Sequence, residues 1–303
     1  MIKNDGISVA AGIPVFQRSA ALELCLHSLD QTQIDRVIIA DNGHLDERMH
    51  LYDAEWSFDL TVLDLGYDVG IGRCRAAIAD ELREEYLLVM DNDMTVPLGQ
   101  QDIDRLVRVV ASQPELGGVS GVLIEGNRLR SGCANFHERT LFTGSKVLVQ
   151  DVKTPPQVAW TDDRVPFVKF DKIPQCAVLK RECLLDYAWD PQFRVAEHAD
   201  FFLGHYHLTE WEFAVTPTVI FDHRKEIDPR YRHEIRSGSS RSAALQRSVA
   251  ELYEQKWGYD ALVFGKTPHW IDSSRPSRTE ALYRSLQFGA VADIMYMLRR
   301  AIK

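Results

Sequence analysis

Two carboxylates stand one residue apart directly after a buried-looking apolar run: Asp91-Asn92-Asp93 follows Tyr86-Leu87-Leu88-Val89-Met90. Side chains so placed on a loop reach toward one hard cation, and Mg2+ or Mn2+ favours a few carboxylates supplemented by phosphate oxygens. Read without a ligand, the same triplet is a solvated turn. Upstream, Asp68-Val69-Gly70-Ile71-Gly72 opens a helix carrying Arg73 and Arg75, a way of bringing backbone N–H groups and cations to a phosphate. Further on, Glu197-His198-Ala199-Asp200 interrupts apolar neighbours and leads into Phe201-Phe202-Leu203. One acid there serves as a helix cap and dipole partner; two within four residues exceed what capping needs. Lastly, Val219-Ile220-Phe221-Asp222-His223 reads as a short strand ending in an imidazole.

The elements that must hold these groups have the alternation of an open α/β sheet. Ile7–Phe16 is apolar at nearly every position, as in a strand covered on both faces, and stops at Pro14. A helix over 20–28, a strand over 36–40 ending in Asp41-Asn42-Gly43, a helix over 46–55, a strand over 60–63, a helix over 73–83 and the strand 86–90 follow. Asp91 and Asp93 then lie at a strand's carboxyl end, where ligands bind in such sheets. A helix over 102–111 and a strand over 118–124 extend the unit. After Gly126 the alternation lapses, with strands at 146–149 and 167–170, and helices over 181–188, 198–206, 239–256 and 279–303.

At this point the chain resembles the nucleotide-sugar glycosyltransferases of GT-A type, family 2, over Ile7 to Arg224. Pro14-Val15-Phe16-Gln17-Arg18 looks like the family's first strand end. Asp41-Asn42-Gly43 matches in part its Asp-Asp-Gly/Asn-Ser turn, and Asp68-Val69-Gly70 followed by Arg75 looks like its Asn-x-Gly…Ala-Arg-Asn segment. The resemblance implies a GT-A fold: a Rossmann-like, doubly wound mixed α/β sheet flanked by helices, with a C-terminal helical extension. It implies a donor site of Pro14, Phe16, Arg18, Asp41, Asp68, Gly70, Arg75, Asp91 and Asn92, in which Asp41 reads the base and Arg75 steadies the pyrophosphate. Mn2+ or Mg2+ would be held by Asp91, Asp93 and His223.

In the family the place of Glu197 usually reads Glu-Asp-x-Asp/Glu and supplies the base that deprotonates the acceptor hydroxyl. Here His198 takes the second position, so the order of candidates is Glu197, then Asp200, then His198, whose neutral imidazole also accepts a proton. The Glu-His-x-x-Phe-Phe form is similar to the β-1,4-N-acetylgalactosaminyltransferase branch. From Arg224 to Arg247 seven Lys or Arg face three Asp or Glu, and the stretch reads as a loop that folds over the diphosphate through Arg232 and Arg236, with Tyr231 beside them.

The expected function is transfer of a sugar from a nucleotide-diphosphate sugar, UDP first, to a hydroxyl of a glycan or lipid-linked glycan, with inversion, in polysaccharide or glycoconjugate biosynthesis. The alternatives are an inactive carbohydrate-binding or scaffold module and a nucleotidyltransferase; the latter wants a Lys-bearing, Gly-rich turn after the first strand, which Ala11–Arg18 does not supply. Expected boundaries are 1–125 for the donor half, 126–235 for the acceptor and catalytic half, and 236–303 for the helical extension.

Composition limits the rest. The 303 residues carry 35 Lys and Arg against 44 Asp and Glu, a net charge of −9, so no general attraction to nucleic acid is built in. Five cysteines, widely spread and without CxxC spacing, read as reduced thiols of a cytoplasmic protein. The last helix sets Leu282, Leu286, Ile294, Leu298 and Ile302 among basic residues, a stripe suited to core packing, a homodimer contact or a peripheral position at the inner face of a membrane.

Overall fold

The computed structural model describes residues 7–142, 144–152, 156–224, 240–265 and 270–271, the side chains of 240–243 and 246 excepted. Arg232, Arg236, Tyr231 and the expected helix over 279–303 lie outside the described residues.

All seven residues of β1 (Val9–Val15) are buried, because β2 (Arg36–Asp41) and β4 (Tyr86–Val89) pair with it in parallel on its two sides. Alternate residues feed two cores. Ala11, Ile13, Val37 and Ile39 pack toward α1 (Ser19–Asp30) and α4 (Gln100–Ala111), while Ala10, Ile38 and Ala40 pack toward α3 (Ile71–Glu81) and α6 (Glu197–Leu208). Apolar coverage of both faces is what makes a parallel strand legible as an unbroken hydrophobic run.

The main sheet has the order β10 (Val158–Trp160), β11 (Pro166–Phe170), β13 (Glu212–His223), β6 (Leu116–Glu125), β12 (Ala177–Lys180), β4, β1, β2, β3 (Asp59–Asp64). β12 runs antiparallel to both β4 and β6, and β13 runs parallel to β6. The carboxyl ends of β1, β2, β4, β6 and β13 therefore share one edge. Two short strands finish it: β7 (Arg128–Arg130) pairs with β6, and β5 (Met94–Thr95) pairs with the end of β13. A second, smaller sheet is formed by β8 (Asn135–Thr140), β9 (Lys146–Asp151) and β14 (Ala261–Phe264), and α7 (Ser240–Trp257) precedes β14.

Two expectations change. The helix over 46–55 is a 3-10 turn, Leu45–Arg48, running into a single α-turn, α2 (Met49–Tyr52), because Arg48 and Tyr52 fold inward onto Asp41. The short strand before His223 is the last third of the twelve-residue β13, whose register shifts between Val215 and Ile220. The mixed second half expected after Gly126 takes the form of β12, an antiparallel strand of four residues inserted between two parallel ones. All five cysteines are buried and unpaired. Among the described residues, no helix is long and apolar enough to cross a membrane.

Candidate active site

A cavity of about 420 Å3 opens at the shared strand edge and is lined by Pro14, Phe16, Arg18, Asp68, Gly70, Asp91, Asp93, Glu197, His198 and His223, together with Asn42, Gln175, Arg194 and Leu245. A larger cleft of about 780 Å3 lies at the start of β13, against the far end of α6, and is lined by none of the expected site residues.

The two ends of the acidic triplet are fixed differently. β5 pairs with β13 so that His223 faces Met94, and the Arg224 N–H donates to the Asp93 carbonyl at 2.8 Å. His223 Nε2 thereby lies 3.4 Å from Asp93 Oδ2, and its Nδ1 lies 2.9 Å from Glu125 Oε1. Burial opposes charge on both groups, yet the Asp93–His223 hydrogen bond and the Arg18 guanidinium hold the Asp93 carboxyl below its ordinary value, and Asp93 with Glu125 raises His223. Arg18 pairs with Asp93 Oδ2 and donates to Asn92 Oδ1 at 2.5 Å. Asp93 Oδ1 is buried with no hydrogen-bond partner. Among the described residues, no three His, Cys, Asp or Glu side chains enclose an ion by themselves. The orphaned oxygen beside Asp91 and His223 fits a cation whose remaining ligands come from a bound phosphate and water.

Arg75 does not line the cavity. It is 1% exposed and lies behind the floor, donating through Nη2 to Asp91 Oδ1 at 2.7 Å and to Gln175 Oε1 at 2.8 Å, and through Nε to Glu197 Oε1 at 3.2 Å. Gln175 Nε2 donates to the same Glu197 oxygen at 2.9 Å. One guanidinium thus positions both the acid after β4 and the acid that starts α6. No hydrogen bond within the described residues goes to Glu197 Oε2.

His198 follows on the same helix turn and also lines the cavity, its ring edge-on to Phe202. Burial, reinforced by the charges of Lys172 and Arg75, pushes the His198 pKa well below its ordinary value, so its imidazole is neutral at physiological pH.

Asp200 is placed otherwise than expected. It is fully buried, away from the cavity, where it accepts from Lys256 Nζ at 2.9 Å, Trp257 Nε1 at 2.8 Å and Tyr187 Oη at 3.1 Å. It anchors α6 to α7 and has no route to an acceptor. Asn92 is likewise fully buried, beneath Arg18 rather than on the cavity wall.

Asp41 also turns inward. Oδ1 accepts from the Gly43 N–H at 2.8 Å and Arg48 Nη2 at 3.0 Å, and Oδ2 from Arg48 Nε at 2.7 Å and Tyr52 Oη at 2.5 Å. A carboxylate has about four lone-pair positions, so Asp41 keeps none for a base. Burial pushes the Tyr52 hydroxyl up, helped by Asp41; it also works against the Arg48 charge, which Asp41 more than offsets. Asn42, next in sequence, does line the cavity.

The glycines after Asp68 have a packing role. The Ile71 N–H donates to the Arg194 carbonyl at 3.1 Å, so the first amide of α3 is spent on protein and not on phosphate. A Cβ on Gly72 would stand 2.3 Å from the Phe193 carbonyl oxygen, and one on Gly70, whose φ is +97°, 2.7 Å from Arg194 Cα. Only glycine lets this segment lie directly on the chain that delivers Glu197. Arg194, on that chain, reaches back to Asp68 with its guanidinium 3.3 Å from the carboxylate.

Arg48, Tyr52, Gln175, Arg194 and Lys256 were not singled out in the sequence. Arg194 lies between an aromatic and the Glu197 segment, and Arg48 and Tyr52 act on Asp41 from seven and eleven residues away, whereas Gln175 and Lys256 act across long separations.

Residues 11–130 match the model of glycosyl transferase family 2. That span holds Arg18, Arg75, Asp91 and Asp93 but ends before Glu197 and His223. Among curated proteins none matches the sequence. In fold the chain is similar to TarS of S. aureus: residues 1-349 of TarS in complex with UDP-GlcNAc give a TM-score of 0.52 at 11% identity, covering 82% of this chain and 67% of that one. The same TarS segment in complex with UDP gives 0.48 at 12% identity, covering 84% and 72%. The large mixed sheet with its flanking helices is the GT-A fold.

Proposed function

We propose that the chain is a nucleotide-sugar glycosyltransferase that moves a sugar from a nucleoside-diphosphate donor to an acceptor hydroxyl with inversion at the anomeric carbon. The observation that carries this reading is the convergence on one cavity of Asp91, Asp93 and His223 from two strand ends with Glu197 and His198 from a helix start. The family match over residues 11–130 supports it, and TarS, solved with UDP-GlcNAc, supports UDP as the first nucleotide to test.

In this reading Asp91, Asp93 and His223 would hold a divalent cation, Mn2+ or Mg2+, which when bound would supply charge neutralisation for the donor's diphosphate. The base lies beside β2, with Phe16 offering a ring face and Asn42 and Asp68 offering polar edges, in place of the saturated Asp41. Glu197, fixed through Oε1 by Arg75 and Gln175, takes the acceptor's hydroxyl proton on Oε2. The acceptor oxygen bonds to the anomeric carbon as the bond from that carbon to the diphosphate oxygen breaks, and the departing pair stays on that oxygen. The acceptor is a hydroxyl of a glycan or lipid-linked glycan.

A panel of nucleotide sugars, scored by thermal stabilisation with and without Mn2+ and then by donor hydrolysis, tests the reading. Stabilisation by one nucleotide family, increased by Mn2+ and abolished by Asp93→Ala, is expected. Metal-independent binding with no turnover of any donor would favour a carbohydrate-binding module on the same fold.

A further inference from the structure

The carboxylates at the cavity are already compensated. Arg75 holds Asp91 and Glu197, and His223 lies between Asp93 and Glu125. Among the described residues two further cations line the cavity: Arg194, which is paired with Asp68, and Arg18, whose side chain is 10% exposed and spans Asp93 Oδ2 and Asn92 Oδ1. The backbone is shaped for this: Gln17 and Arg18 have φ of 57° and 60°, two successive left-handed residues without a glycine, ahead of α1. Such conformations persist where surrounding structure imposes them. Against this guanidinium, Asp93 still keeps Oδ1 buried and unpartnered.

We propose that Arg18 is a displaceable counter-ion that couples donor binding to metal binding, an inference that rests on the nucleotide-sugar reading of this cavity. With no donor present, the guanidinium occupies the acidic triplet and repels a second cation. A diphosphate gives that guanidinium an alternative anionic partner in the same cavity, with the forked geometry arginine favours for phosphate. Its departure uncovers Asp93 Oδ2 beside the orphaned Oδ1, and the triplet then accepts the divalent ion. Metal and donor thus bind as a pair, each raising the affinity of the other by the same factor.

Mn2+ binding, followed by the electron paramagnetic resonance signal of the free ion, tests this without turnover. It is measured on the full chain and on Arg18→Gln, Arg18→Lys and Asp93→Asn, alone and with UDP or GDP; circular dichroism verifies folding. For the unaltered chain, weak Mn2+ binding that a nucleoside diphosphate tightens by at least about tenfold is expected. Arg18→Gln is expected to bind Mn2+ alone about tenfold more tightly and to gain little from nucleotide, with Arg18→Lys between the two. Should Arg18→Gln fold poorly, a tightening in Arg18→Lys carries the same conclusion. Mn2+ binding that Asp93→Asn abolishes but neither Arg18 variant tightens overturns the counter-ion role and leaves the metal site standing. No Mn2+ binding by any of these proteins, with either nucleotide, overturns the metal site and the coupling together.

Discussion

Arg75 and Glu197 meet in the interior of the molecule, Nε to Oε1 at 3.2 Å, and the same guanidinium reaches Asp91 at 2.7 Å. The acid after β4 and the acid opening α6 are therefore placed by one side chain. Removing it leaves Glu197, 3% exposed, with Gln175 as its side-chain partner among the described residues. Arg75→Met is expected to cost about 3–5 kcal/mol in urea unfolding, the usual penalty for breaking a buried pair, and to lower donor turnover toward the level of Glu197→Gln. Arg75→Lys restores charge but not the two-sided reach, so it should recover stability more than turnover.

Lys256 is the corresponding partner of Asp200. Lys256→Met leaves a fully buried carboxylate with two neutral donors and should destabilise by about 3–5 kcal/mol. The double variant Lys256→Met/Asp200→Asn should regain much of that loss. Because Asp200 does not face the cavity, Asp200→Asn is expected to leave nucleotide binding in calorimetry and sugar transfer both close to unchanged, the first of which a ligand role and the second a base role would not allow.

Gly72→Ala tests the contact between α3 and the Phe193–Arg194 backbone. A methyl 2.3 Å from a carbonyl oxygen cannot be accommodated by side-chain movement. A loss of about 1–3 kcal/mol is expected, measured by chemical denaturation. Gly66→Ala has nothing within 4 Å; its φ of +77° gives strain without displacement of Glu197, so nucleotide-sugar turnover should separate the two.

Acid should weaken the fold through histidine. Burial lowers His205 to about 4, and its ring nitrogens meet Thr209 and Cys183. Its folded pKa is below the unfolded value near 6.5, so the unfolded chain binds the proton first. This contribution is complete above about pH 6.5, falls as pH drops toward 4, and amounts to about 3 kcal/mol. His198, shifted the same way, adds to it. Unfolding midpoints followed from pH 7.5 to 4.5 should decline, and His205→Leu should flatten part of the slope.

The first half of the sheet was readable because β1, β2 and β4 are apolar on both faces, and Asp91 and Asp93 follow from where β4 stops. The second half was not. β12 is only Ala177–Lys180, and its identity comes from two non-local antiparallel partners; β14 becomes a strand by pairing with β9 more than a hundred residues earlier. Site roles divided for the same reason. Asp93, His223 and Glu197 face the cavity as their positions suggested, whereas Asp41 and Asp200 look alike in sequence and were drawn inward by Arg48 and Lys256. Spacing along a chain shows which acids lie near an edge; it does not show which already have a cation at their back.

The five buried thiols have a practical consequence. Burial raises Cys74 and Cys133 to about 11, pushes Cys25 and Cys176 higher still and holds Cys183 well above its ordinary value, so a thiol reagent meets no reactive sulfur on the closed molecule. Each sulfur is released only when its own layer parts: Cys25 with α1, Cys74 with α3, Cys183 with α5 (Arg181–Asp186), Cys176 just before β12, and Cys133 ahead of the smaller sheet. Labelling rates at the five positions would time the opening of each region without any engineered probe.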